Sequence, residues 1–193
     1  MARTIESAES LHSSAQGPKP TQDDFQTIYR ENYPAIWRFL LHLGIRKSDV
    51  PDVTHNVFLV AYRKLPEFEH RSSIRTWLCG IALRVARDVK KSAAFRLEVS
   101  ENELTATEGA SEQSSVEALH QDGQLALARR LLEALPAEQR EVFVLHELEQ
   151  MTGPEIATLM ATSIGTVRSR LRRARDSFQK RLAELRQEGM LDV

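Results

Sequence analysis

The sequence has few of the residues that support covalent cross-linking, metal binding or membrane insertion. Cys79 is the single cysteine among 193 residues, so an intramolecular disulfide is excluded. The six histidines lack metal-ligand spacing, and there is no glycine-rich phosphate loop and no nucleophile elbow. Segment 1–20 is polar, so we expect neither a signal peptide nor a membrane anchor there. These absences argue against an enzyme, and they predict a cytoplasmic protein without metal or cofactor.

Strand-like alternation and internal repeats are also missing, and glycine is scarce, with eight residues. An apolar content of 41% supports real cores, and 27% charge indicates a soluble, helix-rich chain. The fold class predicted is all-α, with two small helical domains joined by a flexible acidic linker. The predicted divisions are a disordered tail 1–20, a helical domain 21–96, the linker 97–124, a helix-turn-helix domain 125–186 and a tail 187–193.

Neither positive nor negative charge is in excess over the whole chain, because the formal net charge is −1. Its distribution is uneven. Segment 71–96 carries seven Arg or Lys residues against Asp88, and segment 168–186 carries eight against two acidic residues. Between them, segment 97–128 holds seven acidic residues and no Lys or Arg. Two basic blocks separated by an acidic spacer are typical of a nucleic-acid-binding protein.

Apolar periodicity and capping residues predict the helices. In the first domain we expect four, beginning at Asp23 or Asp24, after Pro34, at Ser48 or Asp49, and at Ile74. In the second domain, an apolar run through Leu135 ends at Pro136. A new helix spans Ala137–Leu148, and two further helices follow Gly153-Pro154.

The most informative stretch is 154–175, which predicts two helices joined by a tight turn. Ser163 is a good N-cap for the second helix. After it, one apolar stripe is predicted from Ile164, Val167, Leu171, Ala174 and Phe178. The side chains predicted to point away from it are Thr166, Ser169, Arg172, Arg173 and Asp176, flanked by Arg168, Arg170 and Arg175. An Arg-rich helix is often merely a solvated surface. The preceding short helix favours a helix-turn-helix that places its arginines in the major groove of DNA.

Two segments resemble the extracytoplasmic-function (ECF) group of bacterial sigma factors, within a match over about residues 23–186. They are DVTHNVFLVAYRKLPEFEHRSSIRTWLCGIALRVARD at Asp52–Asp88 and LLEALPAEQREVFVLHELEQMTGPEIATLMATSIGTVRSRLRRAR at Leu131–Arg175. The phrases SSIRTWL and GTVRSRLRRAR are the most specific. The resemblance implies a dissociable subunit of core RNA polymerase that recognises promoter DNA and helps to open it.

The resemblance also implies a role for each surface. The polymerase-binding set is Asp52, Val53, Asn56, Phe58 and Leu59. The set that reads and melts the −10 element is His70, Arg71, Ser72, Arg75, Trp77, Arg84, Arg87 and Lys91. The set that reads the −35 element is Ser163, Thr166, Arg168, Ser169, Arg170, Arg172, Arg173 and Arg175. The linker would lie in the RNA exit path, and an anti-sigma factor is a further expected partner.

Several positions keep two interpretations. Trp77 is either a core tryptophan or a stacking platform for unstacked bases. Phe58 and Leu59 are either core residues or exposed anchors, and Asp52 is either a docking residue or merely a complement to the helix dipole. The chain departs from the family pattern at Thr54-His55-Asn56, at Gly80, and at Ala161, which stands at a turn position usually given to glycine.

The main alternative is a DNA-binding regulator that acts without polymerase, like the effector half of a response regulator. It accounts for the helix-turn-helix but leaves the basic block around Trp77 without a role. A flexible linker would also let the two domains rotate freely in the absence of polymerase, so that neither basic surface is preset at promoter spacing.

Overall fold

The computed structural model describes residues 24–100 and 127–187, with only the backbone described for residues 94–100. Every regular element in these ranges is helical, with no strand, which confirms the all-α prediction. We refer to 24–100 as the N-terminal half and to 127–187 as the C-terminal half. Segments 1–20 and 188–193 of the predicted tails and residues 101–124 of the predicted linker lie outside the described residues.

The N-terminal half contains three α-helices and one short 3-10 turn. They are α1 (Phe25–His42), α2 (Val50–Lys64), the 3-10 turn Leu65–Glu67 and α3 (Ile74–Ser100). Helix α3 therefore continues four residues into the stretch assigned to the linker.

Two helices were predicted where the structure has the single helix α1, because Pro34 does not interrupt it. Proline removes one backbone hydrogen bond, and here the ring is exposed to solvent. On both sides of it the helix buries apolar side chains, Ile28 before and Ile36 and Phe39 after. Packing of this continuous face outweighs the local cost of the proline.

Helices α1, α2 and α3 pack around a core whose centre excludes solvent completely. Fully buried members come from all three helices: Ile36, Phe39, Leu40, Val57, Ala61, Leu78 and Ala82. The turn after α1 uses Gly44 at φ +85°, a conformation that side-chain-bearing residues rarely adopt. There the amide of Ile45 donates to Leu40 O at 3.1 Å, which closes the turn.

The described part of the C-terminal half contains four α-helices and one π-helical turn. The helix α4 is described over 127–133, and it is followed by α5 (Ala137–Phe143), which continues into one π-helical turn, Val144–Leu148. Helix α6 (Gly153–Leu159) and helix α7 (Ile164–Gln187) complete the half. Thr152 and Glu155 form a reciprocal capping box at the start of α6, a T-x-x-E pattern that the sequence displays.

The two halves pack against each other and share one continuous cluster of buried side chains. The contact runs along α3. Gly80 of α3 faces Leu159 of α6, and a Cβ added at Gly80 would lie at an ordinary van der Waals distance of 3.5 Å from Leu159 Cδ1. This arrangement differs from the free rotation expected of two domains on a flexible tether.

Candidate nucleic-acid interface and partner surface

Helices α6 and α7 are joined by a tight turn that uses an unusual backbone conformation. Ala161 has φ +51°, which confirms that this position requires the left-handed region and that alanine is strained there. Two residues later, the Thr166 amide donates to Ser163 Oγ at 3.0 Å, which confirms the predicted N-cap. The turn and the cap together fix where α7 begins and how it leaves α6.

One side of α7 is fixed by packing. Val167, Leu171 and Ala174 are buried, and Phe178 stacks on Phe143 of α5 with the ring centroids 4.9 Å apart. Four of the five residues in the predicted stripe therefore face the core. Ile164 does not, because it is 42% exposed at the start of the helix, where no neighbouring helix covers it.

The residues assigned to the −35 element fall into groups with different surroundings. Arg168, Arg172 and Arg173 are exposed, and none of them forms an ion pair or hydrogen bond with another described residue. Thr166 and Ser169 are half-buried. The Ser169 hydroxyl donates to Thr166 O at 2.9 Å, within its own helix.

Two other arginines of α7 are engaged inside the C-terminal half. Arg170 pairs with Glu138 of α5, and Arg175 Nε donates to Glu147 Oε1 at 2.8 Å. The assignment of both as phosphate contacts therefore requires that they leave a carboxylate partner. These pairings could not be predicted from residue spacing, because Glu138 and Glu147 are about thirty residues away along the chain.

The loop before α3 gathers the aromatic side chains near the predicted −10 surface. Phe68 is buried, and its ring lies 5.1 Å from the Trp77 ring and 4.7 Å from the His70 ring, centroid to centroid. His70 itself is exposed and has φ +53°. Ser73 caps α3 by accepting from the Thr76 amide at 3.0 Å. Trp77 is half-buried, so it packs on the core and also keeps part of its side chain accessible to solvent.

Helix α3 presents three different faces. Leu78 and Ala82 pack on the N-terminal core, and Cys79 and Gly80 face the C-terminal half. A third face carries residues spaced by seven, which share one side of an α-helix: Trp77, Arg84 and Lys91. Arg84 and Lys91 are exposed and have no hydrogen-bonding or ionic partner among the described residues.

The remaining arginines of this set are paired. Arg71 bonds to Glu69 at 2.7 Å in the exposed loop, where Ser72 is half-buried. Arg75 donates from Nη2 to Glu149 Oε2 at 2.8 Å, and Arg87 donates from Nη2 to Glu141 Oε2 at 2.6 Å. The hydrogen bond to its glutamate raises the pKa of each of these two guanidinium groups. Both glutamates belong to the C-terminal half.

The polymerase-binding set on α2 divides by burial. Asp52, Asn56 and Leu59 are exposed, whereas Val53 and Phe58 are 4% and 2% exposed. The assignment of Val53 and Phe58 to a contact surface is therefore corrected, because both are core residues that orient α2.

Sequence reasoning left out two neighbours on the exposed side of α2, His55 and Tyr62. Tyr62 is 38% exposed, and its ring lies 5.1 Å from that of Phe25 on α1. Thr54, one of the departures from the family pattern, is fully buried and donates to Val50 O at 2.7 Å. Only His55 and Asn56 of that departure reach the surface.

Within 24–100 and 127–187 there is no group of three or more His, Cys, Asp or Glu residues arranged to hold a metal ion. No helix within these two ranges combines the length and apolarity that a membrane span requires. Cys79 is buried, and burial raises the pKa of its thiol well above the usual range. Such a thiol stays protonated and unreactive at neutral pH.

Comparison with known proteins places this geometry in a family. Residues 28–96 match the family described as Sigma-70 region 2, and residues 125–177 match Sigma-70, region 4. The ECF RNA polymerase sigma-E factor of Escherichia coli K12 is 30% identical over 148 residues, which is 73% of this chain and 78% of that protein. The RNA polymerase sigma-H factor of Pseudomonas aeruginosa is 31% identical over 149 residues, 74% of this chain and 77% of that one.

Solved structures agree on the fold. CnrH, in complex with the cytosolic domain of CnrY, superposes with a TM-score of 0.63 at 25% identity, over 85% of this chain and 90% of that one. The sigma factor RpoE of Bartonella quintana, in complex with the anti-sigma factor NepR, gives 0.67 at 24% identity, over 83% and 98%. The chain therefore belongs to the ECF group of the sigma-70 family, non-enzymatic factors of promoter-specific transcription initiation by RNA polymerase.

Proposed function

We propose that this chain directs core RNA polymerase to promoters by reading a −35 element with α7 and by reading and helping to melt a −10 element with the loop 68–73 and α3. One observation carries the proposal. Arg168, Arg172 and Arg173 project unpaired from a capped helix that follows a tight turn. An exposed guanidinium on such a helix can pair bidentately with guanine or contact a phosphate.

The −10 assignment is supported by the third face of α3. Strand separation requires a partner for unstacked bases and a cationic path for the backbone. The solvent-accessible part of the Trp77 ring is a candidate for the first, and Arg84 and Lys91 offer the second. His70 and Ser72 lie beside this face in the loop that precedes α3, where they are candidates for contact with a flipped base.

Docking on polymerase is assigned to the exposed side of α2, which combines Asp52 and Asn56 with the apolar Leu59. Leu59 is 41% exposed, and an exposed leucine rimmed by polar side chains fits a protein-protein contact. We also propose an anti-sigma factor as a partner, as found with the structurally similar RpoE of Bartonella quintana. The site of action is then the cytoplasm, where promoter DNA and polymerase meet.

The domain limits 21–96 and 125–186 are part of the proposal, with 97–124 as the linker that follows the RNA exit path. In this scheme the tails 1–20 and 187–193 have no assigned role.

The test is transcription by a reconstituted holoenzyme. The purified chain is added to sigma-free core RNA polymerase with fragmented genomic DNA, and transcription start sites are mapped. We expect discrete starts with shared sequence near −10 and −35. Binding of the chain to duplex DNA without comigration with core polymerase would instead favour the regulator that acts alone.

A further inference from the structure

Two arginines that the proposed function assigns to DNA, Arg75 and Arg87, form ion pairs between the two halves. Arg87 forms a two-pronged contact with Glu141, at 3.0 Å from Nε to Oε1 and 2.6 Å from Nη2 to Oε2. Arg75 places Nε and Nη2 at 3.0 and 2.8 Å from Glu149 Oε2. We call these two contacts the cross-half ion pairs.

The two partners of each pair differ in exposure. The Glu149 and Glu141 side chains are 6% and 10% exposed, whereas those of Arg75 and Arg87 are 50% and 42% exposed. Opening the contact therefore returns two sequestered carboxylates to water, while the arginines already reach solvent. An incoming anion can approach each guanidinium from its open side.

A second polar contact lies at the turn after α1. Arg140 of α5 donates to the backbone carbonyls of Leu132, Glu133 and Leu135, and its Nη1 reaches Leu43 O at 3.2 Å. Lys90 of α3 donates to the same Leu43 carbonyl. Gly44 leaves the space that the Arg140 side chain fills. This contact joins α4, α5 and the N-terminal half at one point, and it uses no residue assigned to DNA.

Carboxylate and phosphate offer a guanidinium the same paired oxygen acceptors. We propose that Glu141 and Glu149 act as internal substitutes for DNA phosphates. They occupy Arg87 and Arg75 in the free protein and hold the C-terminal half against α3, and promoter DNA opens the contact by exchanging phosphate for carboxylate. This inference rests on the proposed role of α3 in DNA binding. It assigns the two glutamates a regulatory role as a built-in brake on DNA binding.

Exchange explains why the brake is reversible. Trp77, Arg84 and Lys91 lie on the face of α3 that the C-terminal half leaves open, so a DNA strand can bind there first. Its backbone then reaches the neighbouring Arg87 while Glu141 is still in place. Each exchange swaps one charge-assisted contact for another, and no unpaired buried cation arises at any step.

The experiment compares the full-length chain with the double variant Glu141→Gln and Glu149→Gln, which keeps side-chain size and removes both charges. The matched control is Glu184→Gln, the same change at a glutamate paired with Arg181 within α7. Far-ultraviolet circular dichroism verifies that all three chains are folded. The radius of gyration of each free chain is measured by small-angle X-ray scattering, where we expect an increase for the double variant only.

The second readout is binding of a fluorescein-labelled single-stranded DNA carrying the non-template −10 region of a mapped promoter. Removing two partly exposed ion pairs should tighten binding by roughly tenfold, at two- to fivefold for each pair. The slope of the logarithm of the binding constant against the logarithm of the salt concentration should steepen by up to about 1.4. In the wild type, Arg75 and Arg87 exchange a carboxylate for a phosphate, whereas in the double variant they release salt anions when they bind the phosphate. The control should match the wild type.

The inference is wrong if the double variant keeps the wild-type radius, or if it opens without binding the DNA more tightly. Neither result bears on the proposed function, which is decided by start-site mapping with the wild-type chain. Absence of promoter-specific starts, together with an enlarged double variant, would reject the −10 assignment and leave the contact a structural one.

Discussion

Helices α3 and α7 each carry a basic block, yet their arginines are partnered in opposite ways. In α7, the paired arginines Arg170 and Arg175 bind glutamates of their own half. In α3, Arg75 and Arg87 bind glutamates of the other half. Neutralisation inside one half fixes the orientation of a helix, whereas neutralisation across two halves makes the surface depend on how the halves are arranged.

Exposure sharpens the difference. Glu138 and Glu147 on α5 and its π-helical turn are 68% and 32% exposed, and the glutamates that pair with α3 are almost enclosed. Exposed pairs contribute little to stability, and a sequestered carboxylate that loses its partner is costly. The two basic helices should therefore respond differently to the same arginine substitution, in DNA binding as well as in stability.

The largest effect is expected at the unpaired arginines of α7. Arg172→Ala or Arg173→Ala should weaken binding of the holoenzyme to its −35 element by about 1–3 kcal/mol if the residue reads a base, with relaxed preference at one position. Binding across a set of −35 variants, measured by fluorescence anisotropy, checks this. Lys180→Ala is the matched control, because Lys180 is an exposed cation on α7 that lies outside the residues assigned to the −35 element.

A phosphate contact would behave differently. If the replaced arginine contacts a phosphate, the variant should bind every −35 sequence more weakly by the same factor, and its binding should depend less on salt concentration. Unchanged affinity of both variants at every sequence and salt concentration would remove α7 from the −35 assignment.

The next largest effect is a loss of stability when a nearly buried carboxylate loses its arginine partner. Arg87→Ala leaves Glu141 almost enclosed and without its partner, so we expect a loss of about 2 kcal/mol in the free energy of unfolding. Arg175→Ala leaves Glu147 partly in water and should cost less than about 1 kcal/mol. Urea denaturation followed by circular dichroism compares the two. Equal losses would show that the cross-half ion pairs are no more sequestered than the local ones.

The fold was largely accessible from the sequence because local signals decide it. The N-cap Ser163, the positive φ at Ala161 and the buried stripe Val167, Leu171 and Ala174 all follow from residue type and spacing. The single helix α1 was missed because packing on both sides of Pro34 outweighs a local breaker.

The partners of the arginines could not be predicted. Charge spacing identifies a basic block, but it does not indicate that Glu149 lies 2.8 Å from Arg75, seventy-four residues away. Burial on α2 was equally ambiguous, because Val53, Phe58 and Leu59 are all apolar and only tertiary packing separates the buried Val53 and Phe58 from the exposed Leu59. Gly80 is a departure from the family pattern that the structure does not explain, because a Cβ there would make only an ordinary van der Waals contact with Leu159, at 3.5 Å from Cδ1.

A smaller effect on stability is expected at two turns that contain a residue with positive φ, the turn between α6 and α7 at Ala161 and the turn after α1 at Gly44. Ala161→Gly should stabilise the C-terminal half by about 0.5–1 kcal/mol, because relief of the left-handed strain exceeds the entropy cost of glycine. Gly44→Ala should destabilise, since φ is +85° and the Arg140 guanidinium occupies the space of a Cβ. Thermal unfolding should show shifts of opposite sign. Destabilisation by both changes would mean that the turn before α7 tolerates alanine without strain.

The smallest expected effect is a pH dependence at the end of α1. His42 Nδ1 is buried without a hydrogen-bond partner among the described residues. Burial lowers the pKa of His42 and nearby Arg38 adds to this, while Glu149 across the contact opposes it.

The unfolded chain therefore binds a proton near pH 6.5 and the folded chain only at lower pH. Stability from this group is complete above about pH 6.5 and is lost as the pH falls below it, with a slope of at most about 1.4 kcal/mol per pH unit. Urea denaturation between pH 7.5 and 5.5 measures the slope. His42→Gln should reduce it, and His55→Gln, at an exposed position on α2, should not. If His42→Gln leaves the slope unchanged, the pKa of His42 does not differ between the folded and the unfolded chain. Any loss of stability at low pH then arises from other groups in the chain.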